Sequence, residues 1–405
     1  MKSFCTSKLF SQYVPIVVVL VLISAPLYLY FTHSAYASFT YVRAITLNTA
    51  TYNPATESSF TVLVCANGSS PCNASVSGLN QSGGGAHVAN ANGYDIIFTS
   101  DSGCTTKLNW EVENYVASTG EMEAWVLIPS LGTSNQTIYM CYGNSGISTF
   151  QGGSTGSAWD SNYTNVYHLP NGSSLSLSDS TSNGNTATNH GSITATTGVV
   201  DGGASAPSTG SPDLTASSPA LTSLTVSYWI KMWNNTNFTD GGFLVSDGTN
   251  SFRYFHGDNN VLVYTYINGS NVADCFNINT SDNNWHYVTV ALNSTTLSCS
   301  LDGGAYSNYS VTFTGVGAGT VSFVGDNMGN YLYGLFDEAR LSNVVRSANW
   351  VSTEYNNQSS PSTFETFGGE NVISTTAVTN VNIRGGGSGK TTIRAGGSSG
   401  KVIFR

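Results

Sequence analysis

Leu224-Thr-Val-Ser-Tyr-Trp-Ile-Lys-Met232 and Asn284-Trp-His-Tyr-Val-Thr-Val290 decide the fold class. Both are short runs of β-branched and aromatic residues bounded by Asn, Ser and Thr clusters, the composition that suits a pleated, half-buried surface. Their alternation assigns Trp229, Trp285 and Tyr287 to a core. Similar runs recur outward from them at about 8–12 residue spacing, the rhythm of a sandwich. They cover Gly242–Ser246, Phe252–His256, Val261–Ile267, Leu297–Leu301 and Thr320–Val324. One short helix is expected at Ser347–Tyr355.

The first half repeats the pattern with strands expected at Tyr41–Leu47, Phe60–Cys65, Tyr94–Thr99, Leu108–Tyr115, Glu121–Ile128 and Thr137–Tyr142. Glu121-Met-Glu-Ala-Trp-Val126 alternates most clearly, which predicts one wet and one buried face. Residues 145–165 are rich in Gly and Ser and carry no apolar period. The expected organisation is a leader over 1–37, a β-sandwich over 38–150, a linker over 151–166, a second sandwich over 167–370 and a Gly-rich basic tail over 371–405. The tail holds two similar units, Ile383–Lys390 and Ile393–Lys401.

Only 9% of the 405 residues are charged and 12% are aromatic. Disorder needs the opposite balance. The net charge is −10 and basic residues are not clustered, which excludes nucleic acid as the expected partner. Lys2 and Lys8 precede the apolar run Val14–Phe31, and Ala35 and Ala37 stand at the spacing a signal peptidase reads. This predicts export with cleavage after Ala37; the alternative is an uncleaved anchor, the one expected membrane contact. Beyond Cys5, the first half holds Cys65, Cys72, Cys104 and Cys141, and the second holds Cys275 and Cys299. Even numbers suit an oxidising compartment. Of the three pairings open to four cysteines, the reading adopts Cys65–Cys72 across a Gly/Ser/Pro turn with Cys104–Cys141, and adds Cys275–Cys299. Buried free thiols are the alternative.

Two resemblances follow from ordered motifs. Gly93-Tyr-Asp-Ile-Ile-Phe-Thr-Ser-Asp101, Trp110-Glu-Val-Glu-Asn-Tyr115, Glu123-Ala-Trp-Val-Leu-Ile-Pro-Ser130 and Thr137-Ile-Tyr-Met-Cys-Tyr-Gly-Asn144 resemble the domain of unknown function 2341 of prokaryotic surface proteins. That resemblance implies a β-sandwich without an assigned activity. Leu224–Ile230, Asn284–Val290, Leu301-Asp-Gly303, Gly334-Leu-Phe-Asp-Glu-Ala-Arg-Leu-Ser342 and Asn349–Asn357 are similar to the laminin-G-like jelly roll of the concanavalin-A superfamily. This chain departs from that family at Ala206-Pro-Ser-Thr-Gly210, where a Phe-Asp-Gly strand is common. Together they imply an all-β protein of two consecutive β-sandwiches, the second a jelly roll. The laminin-G-like resemblance also implies a calcium site at Asp179 and Asp337, built from carboxylates and loop carbonyls. The competing reading makes Asp179 a turn residue and pairs Asp337 with Arg340.

Catalytic patterns are missing. Glu111/Glu113 and Glu121/Glu123 sit two apart on strands, and the expected reading is solvated faces. The Glu-x-Asp-x-x-Glu pattern of related glycosidases does not occur, and no Gly-x-Ser-x-Gly elbow stands between a strand and a helix. Gly385-Gly-Gly-Ser-Gly-Lys-Thr391 fails the spacing of a phosphate loop. His87, His168, His190 and His256 have no spaced partners, and His286 is read as structural. Trp233, Tyr254, Tyr264, Tyr266, Tyr331 and Tyr333 are the candidate ligand-binding aromatics, since sugar C–H faces pack on rings. The expected function is extracellular or cell-surface binding or adhesion, with carbohydrate or glycoprotein as ligand and no enzymatic activity. The alternatives are a structural envelope or filament component and a glycan hydrolase.

Overall fold

The computed structural model describes residues 39–373 except 69–70, 73–74, 171–173, 208–209, 233–241, 257–261, 278–282 and 326–330. Of residues 255–256, 262–264, 277, 381–386 and 390–395 it describes the backbone. The expected leader lies outside the described residues. No described helix is long and apolar enough to cross a membrane.

The protein is all-β, with antiparallel sheets throughout its two consecutive sandwiches. In the second half, one sheet runs in the order Ser307–Ser310, Thr296–Leu301, His286–Leu292, Leu224–Met232, Gly334–Ser342, Gly202–Ala206 and Thr194–Thr197. Tyr163–Tyr167 pairs on the side of Gly334–Ser342. The facing sheet runs Ser270–Asn277, Leu262–Ile267, Ser251–His256, Gly242–Ser246, Gly319–Phe323, Asp213–Ser218 and Thr188–His190. Between them lies an apolar core containing Val226, Tyr228, Ile230, Phe243, Tyr254 and Phe323. The opening stretch supplies the centre of this layer because alternate residues of Leu224–Met232 face it.

The other face of that strand is also dry. Trp229 and Tyr287 are buried as expected, yet outside the sandwich interior: their rings pack at 5.0 Å against each other, and Trp229 Nε1 donates to Gln358 Oε1 at 2.7 Å. Trp285 is half-buried. The helix Ala348–Ser359 covers this face. It starts at Ser347, whose hydroxyl accepts from Trp350 N at 3.0 Å, a conventional N-cap.

In the first half, one sheet runs Glu365–Val372, Tyr41–Leu47, Gln136–Tyr142 and Ile97–Thr99. The other runs Glu57–Ala66, Glu121–Leu131 and Asn109–Val116. Ile45, Phe60, Val62, Val64, Phe98, Trp110 and Ile138 belong to the core between them. The expected boundaries need two corrections. Glu365–Val372, assigned to the second sandwich up to residue 370 and to the tail beyond it, pairs with Tyr41–Leu47 from Leu47↔Glu365 to Tyr41↔Val372. Phe364 of the adjoining turn is buried in the first core, which holds the chain there. The expected linker is packed structure, with Ala158, Trp159 and Tyr163 buried. The helix joins both halves: Asn357 Oδ1 accepts from Leu63 N at 2.7 Å and Asn357 Nδ2 donates to Leu63 O at 3.0 Å. These bonds satisfy the backbone of an edge strand, the usual weak point of a sheet.

The disulfides are Cys65–Cys72, Cys104–Cys141 and Cys275–Cys299, the pairing the spacing suggested. In the tail, Val381–Gly386 and Lys390–Ala395 pair, with Ile383 opposite Ile393. The two similar units thus place their first strands against each other.

Candidate functional site

Two bulges aim carboxylates at one histidine. On Asn109–Val116, pairing passes from Val112↔Ala124 to Asn114↔Glu123, leaving Glu113 as the extra residue. On Gly334–Ser342, pairing passes from Asp337↔Trp229 to Arg340↔Ser227, so Glu338 and Ala339 share the space opposite Tyr228. Glu338 has φ 51°, a left-handed conformation that costs a non-glycine residue about 1 kcal/mol or more. Bulges re-aim side chains, and here both turn inward. His168 follows the strand Tyr163–Tyr167. Its Nδ1 lies 2.9 Å from Glu338 Oε1 and 3.6 Å from Glu113 Oε2, and its Nε2 lies 2.7 Å from Glu111 Oε1. Trp125 stacks on its ring at 5.2 Å.

The surroundings are dry and charged. Arg340 Nη2 donates to Glu338 Oε2 at 2.7 Å, and its Nη1 donates to Glu354. The Arg340 guanidinium also lies 4.5 Å from the Trp125 ring centre and 4.9 Å from that of Trp159. Trp125 Nε1 donates to Glu113 Oε2 at 2.8 Å, and Tyr163 Oη donates to Glu354 Oε1 at 3.1 Å. Burial, then repulsion from Glu338, holds the Glu113 carboxyl well above the ordinary range. The same two causes raise Asp337. At His168 burial opposes the charged ring, but Glu338, Glu113 and Glu111 outweigh it and push its pKa well up.

Beside this cluster opens a cleft of about 440 Å³. Asn92, Tyr94, Glu111, Tyr115, Phe150 and Thr155 are among its lining residues. Phe150 is 39% exposed and meets Trp110 edge-on at 5.7 Å and Tyr94 at 6.4 Å. Gly156 lets the rim loop approach closely: its φ is 81°, and a Cβ there would stand 2.2 Å from Ser182 N. Glu111 connects cleft and cluster, since the Oε1 that meets His168 also accepts from Trp159 Nε1 at 2.7 Å.

The residues singled out from sequence are distributed differently. Asp179 accepts from Val166 N and Thr181 N through Oδ1, and from Thr181 Oγ1 and Asn185 N through Oδ2. These bonds organise the loop that follows Tyr163–Tyr167. Asp337 accepts from Val199 N and Val200 N through Oδ2 and from Glu338 N through Oδ1. Its proposed partner Arg340 is engaged by Glu338 and Glu354 instead. Both aspartates thus point their oxygens at N–H and O–H donors, and neither belongs to the metal-capable group found among the described residues, Glu113, His168 and Glu338.

The six aromatics do not form one face. Tyr254 is fully buried and stacks on Phe243 at 5.7 Å. Tyr333 is buried. Tyr266 is half-buried under the Arg253 guanidinium at 4.9 Å, and Tyr331 is half-buried. Trp233 and the side chain of Tyr264 lie outside the described residues. The solvated reading of the paired glutamates is corrected, because Glu113 and Glu123 are buried. His168, read as having no partner, is the hub. Its signal was indirect: charged residues on strands at 111, 113, 338 and 340 with too little water-facing surface for all of them.

The match of the second half to a known family model agrees with this architecture. Residues 92–167 match the model of the domain of unknown function DUF2341. Residues 201–352 match the concanavalin A-like lectin/glucanases superfamily. A search of the curated proteins finds no match. Solved structures similar to this chain include domain 4 of AbnA, an extracellular arabinanase of Geobacillus stearothermophilus, in complex with arabinotriose. It is 20% identical with TM-score 0.39, covering 48% of this chain and 98% of that one. The binding domain of Paraclostridial Mosquitocidal Protein 1 is 11% identical with TM-score 0.39, covering 48% of this chain and 52% of that one. A pentraxin of Limulus polyphemus is 16% identical with TM-score 0.30, covering 36% and 77%.

Proposed function

We propose that this protein is an exported binding module that takes carbohydrate in the cleft beside Glu111. The observation that carries this reading is the cleft's make-up. Tyr94, Tyr115 and Phe150 supply ring surface for sugar C–H groups, while Asn92, Glu111 and Thr155 supply hydrogen-bonding groups for hydroxyls. The match of residues 201–352 to a lectin and glucanase superfamily supports carbohydrate as a ligand class for the second sandwich, whereas the cleft is lined from residues 92–158. Binding rather than hydrolysis is favoured because Glu111 is the carboxylate among the described lining residues. Glycosidases place two carboxyl groups across the sugar. Adhesion to a glycoprotein is the finer form of this reading.

The test is a glycan array followed by calorimetry on the secreted chain, in calcium and in chelator. At least one glycan class should bind, and Phe150→Ala and Tyr94→Ala should each weaken it about tenfold or more, one stacking contact being worth about 0.5–1.5 kcal/mol beyond its area. Failure of every glycan to bind in either condition, or affinities untouched by both substitutions, would reject the reading.

A further inference from the structure

We propose that Glu113, His168 and Glu338 form a binding site for a divalent transition-metal ion, zinc being the best fit, between the two sandwiches. One ligand atom from each residue lies within 4.8 Å of the others. An imidazole with two carboxylates selects such ions over calcium, which takes six to eight oxygens. In a tetrahedral zinc site with bonds near 2.1 Å, ligand atoms stand about 3.4 Å apart. Glu338 Oε1, hydrogen-bonded to His168 Nδ1 at 2.9 Å, and Glu113 Oε2, at 3.6 Å from it, stand on either side of that value.

The observation that points to a missing ligand is at Glu113. Its side chain has no exposed surface, and its Oε1 has no hydrogen-bond partner. A sealed carboxylate oxygen without a partner is costly. The wider cluster carries the same imbalance. Glu113, Asp337, Glu338 and Glu354 are buried carboxyls around two basic groups, the Arg340 guanidinium and the His168 imidazole. A dication offsets that excess directly.

Each ligand is also held from behind, as metal ligands are. His168 Nε2 meets Glu111 Oε1, the carboxylate–imidazole arrangement of metal sites, and the ion would replace the hydrogen bond that Nδ1 makes to Glu338 Oε1 at 2.9 Å. Arg340 holds Glu338 Oε2. Trp125 Nε1 holds Glu113 Oε2. Because Glu111 also lines the cleft, the ion would sit directly behind the cleft wall. The site draws on strands of both halves, so the ion would tie them together.

The experiment uses the full, tag-free chain stripped with chelator. Zinc should bind at one equivalent per chain by calorimetry and raise the unfolding midpoint by several degrees, while calcium and magnesium should not. Cobalt substitution should give visible absorption bands, and X-ray absorption on the zinc form should show imidazole scattering from one histidine. His168→Gln and Glu113→Gln should each weaken zinc at least tenfold. Absence of stoichiometric zinc, or binding that both substitutions leave intact, overturns the proposal. Should a variant not fold, the absorption spectrum of the unsubstituted chain decides alone: a zinc shell without imidazole rejects it. Glycan binding is not required for any of these results.

Discussion

The second sandwich's interior and the seam between the halves are equally dry, and they are built on opposite principles. The interior is apolar and aromatic, with Tyr228 tilted on Phe336 at 4.8 Å and Phe243 edge-on to Phe323 at 5.4 Å. Its stability is close to additive in buried area, and replacements of similar volume are tolerated. The seam buries Glu113, His168, Glu338, Arg340 and Glu354. There each group is bearable only while its partner stays. The interior therefore specifies that a sandwich forms; the seam specifies which surface of one half meets which surface of the other.

The sharpest way to break this contrast is Arg340→Met. It leaves Glu338 and Glu354 uncompensated and should cost about 4 kcal/mol by urea denaturation at pH 7. Arg340→Lys should recover only part, since an ammonium does not span two carboxylates while covering two indoles. A loss below about 1 kcal/mol would mean the seam behaves like the interior. Next is Glu123, whose pKa is raised to about 8 by burial, then by Asp201 and Glu121. Its folded form holds a proton that the unfolded chain releases near the ordinary carboxylate value. Stability is therefore fullest below that value, falls as pH rises toward about 8, and is flat beyond. Glu123→Gln should stabilise by roughly 2 kcal/mol at pH 9 and by nothing measurable at pH 4; equal effects at both pH values would refute the assignment. Asn357→Ala should cost about 1–2 kcal/mol, leaving Leu63 N and O unpaired, and amide exchange at Leu63 should quicken. Smallest is Phe323→Leu in the apolar interior, at about 1 kcal/mol, read from the same denaturation curves.

The fold was legible where period decides it. Tyr41–Leu47, Leu224–Met232 and Gly242–Ser246 form as their composition indicates, because alternation and β-branching act within one strand. What escaped is what two distant strands do together. The register shifts at Glu113 and Glu338 depend on partner strands, and no local pattern announces them. His168 acquires its carboxylates from positions 111, 113 and 338, so its role exists only after assembly. Tyr254 illustrates the converse. An aromatic on a strand reads the same on either face, and here pairing with Thr265 puts it on the core side.

The return of Glu365–Val372 to Tyr41–Leu47 has a consequence for the order of events during synthesis. Arg43 Nη1 reaches the carbonyl of Gly368 across 325 residues, and Asn357 caps Leu63 across 294. A ribosome delivers the N-terminal half long before the residues that finish its sheet and seal its edge. That half must therefore wait, open on one side, until nearly the whole chain is made. Such non-local closure slows folding, and it leaves a strand edge exposed to other chains in the interval. Dilute, slow refolding should accordingly yield more native protein than rapid refolding at high concentration.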